Sequence, residues 1–246
     1  MIHENIPDDV KRCGVNLSGG VDSAILLYIL CEEIVDNNLD LELTAITGVD
    51  VQMPFNEHAA AEILEIIEKK FPSIVFNEHC IFTYNLPRPS NNALVDGTGE
   101  ARNAAKSKFH FIKEQELYKA GIIDIVIRGI TKNPPIDDIT DPELLEKMEA
   151  NRQPGELIML CKAGHVPEGF DGNLYYYTPF HDMHKKDLAA LYYEKNLMHD
   201  IFPLTESCIS YGDQGTNYYT QPCRTCWFCR EKYWAFGLYD GESPEI

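Results

Sequence analysis

Between positions 17 and 23 the chain reads Leu17-Ser18-Gly19-Gly20-Val21-Asp22-Ser23, and its hydrophobic period changes across that stretch. Before it, Gly14-Val15-Asn16-Leu17 is a short apolar run. After it, Ile25, Leu26, Ile29, Leu30 and Val35 recur close to the helical period through about Asp36. The segment therefore joins a strand directly to a helix through two adjacent glycines. Those glycines let the backbone turn tightly and come close to a ligand. The helix then opens with N–H groups that have no intrahelical acceptor and with the positive end of its dipole. Ser18 and Ser23 add hydroxyls. The combination suits a phosphate or pyrophosphate. Asp22 would repel a bare anion, but it fits if Mg²⁺ lies between its carboxylate and the phosphates. The same residues also fit a turn with an N-cap, in which Ser18 or Asp22 satisfies backbone donors.

Further along, residues 41–49 read as a second strand and 56–70 as an amphipathic helix stopped near Pro72. Residues 74–76 read as a third strand. Residues 100–120 form a long helical pattern with Gly121 as its C-cap glycine, and 122–127 form a nearly continuous apolar run, as in a buried parallel strand. The stretch 132–168 is irregular, with a loop at Pro134-Pro135 and a short helix over 142–151. A last strand is expected at Tyr175-Tyr176-Tyr177 and a helix over 185–195. Strands alternating with helices predict a parallel α/β sheet. From Pro203 onward the chain is aromatic and Cys-rich, which suggests a small lobe packed on that domain and a division into residues 1–200 and 201–246.

The charge balance narrows the function classes. With 21 Lys+Arg against 39 Asp+Glu in 246 residues, the formal net charge is −18. That opposes broad binding to nucleic acid or to an anionic membrane, which needs a cationic surface, but it allows a small anion in a local pocket. No apolar run approaches the roughly 20 residues that span a bilayer, and no basic-then-apolar leader opens the chain. A cytoplasmic location is the expectation.

Of eight cysteines, Cys13, Cys31, Cys80 and Cys161 are scattered through apolar segments, while Cys208, Cys223, Cys226 and Cys229 cluster. Two successive C-x-x-C steps with a distant fourth thiolate can enclose Zn²⁺ at a closed, structural site. Four cysteines can also hold an iron–sulfur cluster; zinc is preferred because nothing else in the chain suggests redox chemistry. Arg224, Arg230 and Lys232 lie beside the knuckle and are expected to offset its thiolate charge.

The loop over residues 17–23 resembles the SGGxDS signature of the N-type ATP pyrophosphatases, or PP-loop ATPases, and lacks the Gly-Lys-Ser/Thr of a Walker A loop. Together with the Cys cluster it is similar to the 7-cyano-7-deazaguanine synthase family of the queuosine and archaeosine pathways. Ala101-Arg102-Asn103, Arg128-Gly129, Thr178-Pro179-Phe180 followed by Lys185, Thr205-Glu206-Ser207-Cys208, and residues 223–230 with Ala235-Phe236 resemble further motifs of that family. There are three departures. Thr47-Gly48-Val49-Asp50-Val51-Gln52 stands where the family has Tyr-Gly-Gln-Arg-His. Asn133-Pro134-Pro135-Ile136-Asp137-Asp138 stands where a Tyr-Pro-Asp-Cys-Arg-Pro type segment is expected. The spacing from Cys208 to Cys223 is longer than usual.

The resemblance implies an adenine-nucleotide α-hydrolase-like (PP-loop, Rossmann-like) domain and a homodimer. It implies an ATP-dependent carbon–nitrogen ligase using ATP, Mg²⁺ and Zn²⁺. The substrates would be 7-carboxy-7-deazaguanine and ammonia, the product 7-cyano-7-deazaguanine, with release of AMP and pyrophosphate. Carried over by position, Leu17, Ser18, Gly19, Gly20, Val21, Asp22, Ser23, Asn103 and Gly129 would contact the nucleotide. Asp22 would hold Mg²⁺, Lys185 (or Lys186, one residue on) would meet phosphate, and Arg102 would meet phosphate or the acceptor carboxylate. Tyr211 or Tyr218 is a candidate to stack on the deazapurine. The alternatives are another deazapurine or carboxylate acceptor, a reaction stopping at the amide, or a PP-loop tRNA-modifying enzyme. His165, His181 and His184 are assigned no role.

Overall fold

Hydrophobic alternation along the strands places one central sheet between two layers of helices. The computed structural model describes residues 2–51, 55–86, 98–148, 160–162, 174–208 and 222–244, without the side chains of 55, 98–103, 146–148 and 160–162. The strands are β1 (Arg12–Asn16), β2 (Glu42–Asp50), β3 (Val75–Phe76), β4 (Cys80–Tyr84), β5 (Ile125–Ile127), β6 (Leu160–Lys162) and β7 (Tyr175–Tyr177). Their order is β3-β2-β1-β5-β7-β6, with β4 also paired to β2. β3 pairs with the beginning of β2 and β4 with its end. All pairs are parallel except β6 with β7.

The helices are α1 (Val21–Asp36), α2 (Phe55–Lys70), α3 (Thr98–Lys119), α4 (Pro142–Met148), α5 (Lys185–Glu194) and α6 (Trp227–Phe236). Cys13, Val15, Leu43, Ala45, Ile125, Ile127 and Tyr177 point to one face, where they pack with α1, α2, α5 and the end of α6. Ile46, Val126 and Tyr176 point to the other, against Phe111, Leu117 and Tyr118 of α3. The two-residue period of the strands thus feeds two cores. Phe202 and Phe236, from the C-terminal stretch, belong to the larger one.

From β1 the chain goes one way to β2, and β5 pairs on the opposite side of β1. This reversal of strand order falls at the carboxyl ends of β1 and β5, where open α/β sheets ordinarily hold their ligand in a crevice.

Several boundaries move for physical reasons. The apolar run expected as a strand over 122–127 is extended and paired only from Ile125. Gly121 adopts φ +70 and the Ile122 N–H donates to Leu117 O, so the first residues of the run close α3. β4, β6 and α6 were not anticipated. Among the described residues no helix is long and apolar enough to cross a membrane.

Candidate active site and metal centre

The loop after β1 stands at the head of that crevice. Leu17 extends the sheet: its N–H donates to Ile46 O (2.9 Å), and its carbonyl accepts the Thr47 hydroxyl (2.6 Å). With that proton committed, Thr47 Oγ1 accepts from His79 Nε2 at 2.8 Å. The chain then turns at Gly19, φ +80, where a Cβ would stand 2.9 Å from the Ala59 Cβ. Only glycine meets both demands. Gly20 is the N-cap of α1 and offers no side chain to the first-turn amides.

The two serines differ in what they do. Ser23 is buried; its hydroxyl accepts the Ser18 N–H (3.1 Å) and donates to Gly20 O (3.0 Å), which braces the loop from inside. Ser18 is exposed and lies 3.1 Å from Ser23 Oγ. The outward-facing members of the loop are therefore Ser18, Gly20 and Asp22, while Leu17, Gly19, Val21 and Ser23 shape it from within.

Gly129, two residues past β5, lies against the first turn of α1. A Cβ there would be 2.6 Å from Asp22 O and 3.2 Å from Ser23 N. The Arg128 guanidinium turns away from the loop, donating to both carboxylate oxygens of buried Glu114 (2.9 and 2.6 Å). It lies over Phe111 and Tyr176. Asn16, at the end of β1, also donates to Glu114.

Lys185 comes to the same place from α5, which packs beside α1 on the same face of the sheet. The Thr178-Pro179-Phe180 turn leads from β7 to α5, and Lys185 is the first residue of that helix, only 3% exposed. Its ammonium is 3.1 Å from Asp22 Oδ2 and 3.1 Å from Glu231 Oε2. Tyr192, on the same helix, donates to Val21 O at 2.8 Å and fixes α5 on the start of α1. Of the two lysines, Lys185 is the one that stands beside the loop. Lys186 lies out on the surface against Asp138, over the Trp234 ring.

Glu231 was not among the sequence candidates. It lies on α6, two residues after Cys229, and is fully buried. Its neighbour Lys232 is equally buried and donates to Thr205 O (3.0 Å), Thr205 Oγ1 (2.8 Å) and Asp240 Oδ1 (2.7 Å). Burial pulls the Lys232 ammonium below its ordinary range, and Asp240 opposes that. The other Asp240 oxygen accepts the N–H groups of Ser207 (2.9 Å) and Cys208 (2.8 Å). Glu206 N–H donates to Gly19 O at 2.8 Å. Residues 205–208 thus form a strap from the loop over 18–23 to the cysteine cluster. The Glu206 carboxyl is pushed up to about 7, first by burial and then by Asp240.

The sulfurs of Cys208, Cys223, Cys226 and Cys229 lie within 4.8 Å of one another, with Cys223 and Cys229 at 3.9 Å. A tetrahedral ion with Zn–S bonds of about 2.3 Å needs sulfurs roughly 3.8 Å apart. A cubane would put a separate iron on each sulfur and force them farther apart. Backbone N–H groups of Thr225 and Cys226 point at Cys223 Sγ, and that of Cys223 at Cys208 Sγ, which suits thiolate charge. Arg224 reaches φ +58 in the knuckle turn. The donor set fits one tetrahedral ion.

Beside the knuckle, Arg224 pairs with Glu242, Arg230 with Asp141 and Glu143, and Lys232 with Asp240. Lys232 also interacts electrostatically with Cys229. Asn133 O accepts from His184 Nδ1 at 2.7 Å, and Asp138 O accepts from Trp234 Nε1. The divergent 133–138 segment therefore packs on α5 and α6. Arg102 and Asn103 lie in the early turns of α3 with their side chains outside the described residues, as are Tyr211, Tyr218 and His165.

No family model matches the chain, and no curated protein matches it. Among solved structures it is similar to the U34-tRNA thiolase NcsA from Methanococcus maripaludis with its 4Fe-4S cluster, at 15% identity and a TM-score of 0.47 over 81% of this chain. The chain spans 64% of the length of that protein.

Proposed function

We propose that the protein is an ATP-dependent carbon–nitrogen ligase of the PP-loop type, and that it converts 7-carboxy-7-deazaguanine and ammonia to 7-cyano-7-deazaguanine. The observation that carries the reading is the meeting of the loop over 18–23, at the crevice between β1 and β5, with the buried Lys185 and Asp22. A cation buried at the start of a helix opposes the helix dipole. Asp22 and Glu231 hold it there, within reach of an anionic ligand on the loop.

Asp22, a hard oxygen donor, would hold Mg²⁺, which supplies charge neutralisation for the departing pyrophosphate. The first-turn amides of α1 and the Ser18 hydroxyl would hold the β and γ phosphates. Lys185 would neutralise charge on the oxygen between the α and β phosphates as it leaves. A carboxylate oxygen of the acceptor attacks the α phosphorus, and pyrophosphate departs. Ammonia then attacks the acyl carbon, losing a proton and expelling AMP, to give the amide. In the second round the amide oxygen attacks the α phosphorus of a second ATP and a second pyrophosphate departs. Loss of the two amide protons and AMP leaves the nitrile.

Cys208, Cys223, Cys226 and Cys229 would hold Zn²⁺, which has no open position for water and therefore a structural role. The net charge of −18 favours a small-molecule acceptor over tRNA. A homodimer and a cytoplasmic location belong to the same reading.

The test is incubation with 7-carboxy-7-deazaguanine, ammonia, ATP and Mg²⁺, read by mass spectrometry and pyrophosphate release. Formation of the nitrile supports the reading in full. An amide that persists with excess ATP would limit the reaction to its first half. No pyrophosphate would end it. Lys185→Met is expected to abolish turnover and Lys186→Met to leave it nearly intact.

A further inference from the structure

Lys185 is held by two carboxylates at equal distance, Asp22 and Glu231, both at 3.1 Å. The phosphate loop explains only the first. Glu231 comes from α6, which starts inside the cysteine cluster, and its side chain is fully buried. Buried ion pairs add little net stability, because desolvation offsets their attraction. An apolar residue facing a shorter neighbour would pack the same space at less cost. Asp22, Lys185 and Glu231 together carry one positive and two negative charges. These three side chains thus leave one net negative charge beside the first turn of α1, which favours a nucleotide that arrives with a divalent cation over a bare polyanion.

Resting on the Mg²⁺-ATP reading above, we propose that Glu231 is a positioning residue that keeps Lys185 in the site when Asp22 turns to the cation. With both carboxylates present, the ammonium can leave Asp22 and remain anchored, so Asp22 meets Mg²⁺ while Lys185 meets phosphate. Without Glu231, the ammonium stays on Asp22 and competes with the cation for it. The cysteine-bearing helix thereby completes the nucleotide site without touching the nucleotide.

Calorimetric titration of the zinc-loaded full chain tests this with wild type, Glu231→Gln, Lys185→Met and the double variant, each checked for zinc content and thermal midpoint. Glu231→Gln is expected to weaken Mg²⁺-ATP about tenfold, and the same change on the Lys185→Met background to cost less than about twofold, the signature of coupled residues. The Mg²⁺ concentration needed for half-saturation at fixed ATP is expected to rise in Glu231→Gln. Equal losses on both backgrounds, or an unchanged Mg²⁺ requirement, would overturn the assignment. If Glu231→Gln does not fold, Glu231→Asp replaces it; that variant keeps the charge but withdraws it by one methylene. A wild-type Mg²⁺ requirement in Glu231→Asp would likewise overturn it. Failure of the wild-type protein to bind Mg²⁺-ATP would instead remove the functional reading on which this rests.

Discussion

Replacing Gly129 with alanine tests the geometry of the phosphate loop at a position that carries no functional group. The added Cβ would stand 2.6 Å from the Asp22 carbonyl oxygen, 2.8 Å from its carbon and 3.2 Å from Ser23 N. All three are backbone atoms at the first turn of α1, so no flexible side chain can yield. Restoring an ordinary contact requires the strand end and the helix to part by about 0.8 Å, and overpacking of this kind costs roughly 1–3 kcal/mol. For a chain of this size each kcal/mol lowers the thermal midpoint by about 2–4 °C. A fall of roughly 2–12 °C in scanning calorimetry is the expected result. The same displacement moves Asp22 relative to Lys185, so Mg²⁺-ATP affinity should fall as well. Gly237→Ala is the control. It also replaces a glycine, at φ +69, but nothing lies within 4 Å of its added Cβ. It should lose stability through backbone strain alone and bind nucleotide normally. If Gly129→Ala keeps both its midpoint and its affinity, the proposed packing of Gly129 on the loop is wrong.

Other substitutions probe the rest of the site. Asp240→Asn breaks the buried pair with Lys232 and weakens the acceptor for Ser207 and Cys208; loss of about 3–5 kcal/mol in chemical denaturation is expected, with faster release of metal to a chelator. Removing the metal itself, by chelation or by Cys226→Ser, should reduce helical circular dichroism and weaken Mg²⁺-ATP binding together, since α6 carries both Cys229 and Glu231. His110, against Phe82 and Tyr84, has its pKa lowered from 6.5 to about 4, chiefly by burial. The unfolded chain therefore binds the extra proton first. This residue's contribution to stability is complete above about pH 6.5 and is lost as the pH falls toward about 4. His110→Phe should flatten the pH dependence of the unfolding midpoint over that window and leave it unchanged near neutrality.

The fold was legible wherever period and punctuation agreed. The turn at Gly19-Gly20, the helix after it, and the Tyr175–Tyr177 strand all lie where the sequence places them. β4 carried an ordinary strand signal in Ile81-Phe82-Thr83-Tyr84, hidden by its closeness to β3. β6, at three residues, is too short for any period to register. α6 was obscured for a different reason. Its buried positions include Glu231 and Lys232, and a pattern that assigns charges to solvent reads this helix inside out. Glu231 is the part of the site the sequence concealed, and the burial of Lys232 was concealed with it. Their partners, Lys185 and Asp240, are far away or in another element, so only the folded chain shows why they are buried. By contrast, Asp22 and the four clustered cysteines were nameable from residue type and spacing, and Lys185 through the family resemblance alone; the structure brings Asp22 to Lys185 and the four sulfurs to one another.

If the loop over residues 18–23 directs cleavage of ATP between its α and β phosphates, phosphorus NMR of the zinc-loaded protein with Mg²⁺-ATP, ammonia and 7-carboxy-7-deazaguanine will show it directly. AMP and pyrophosphate are expected in equal amounts, both abolished by Asp22→Ala. Appearance of ADP and phosphate, or AMP formation that survives Asp22→Ala, would contradict that role of the loop.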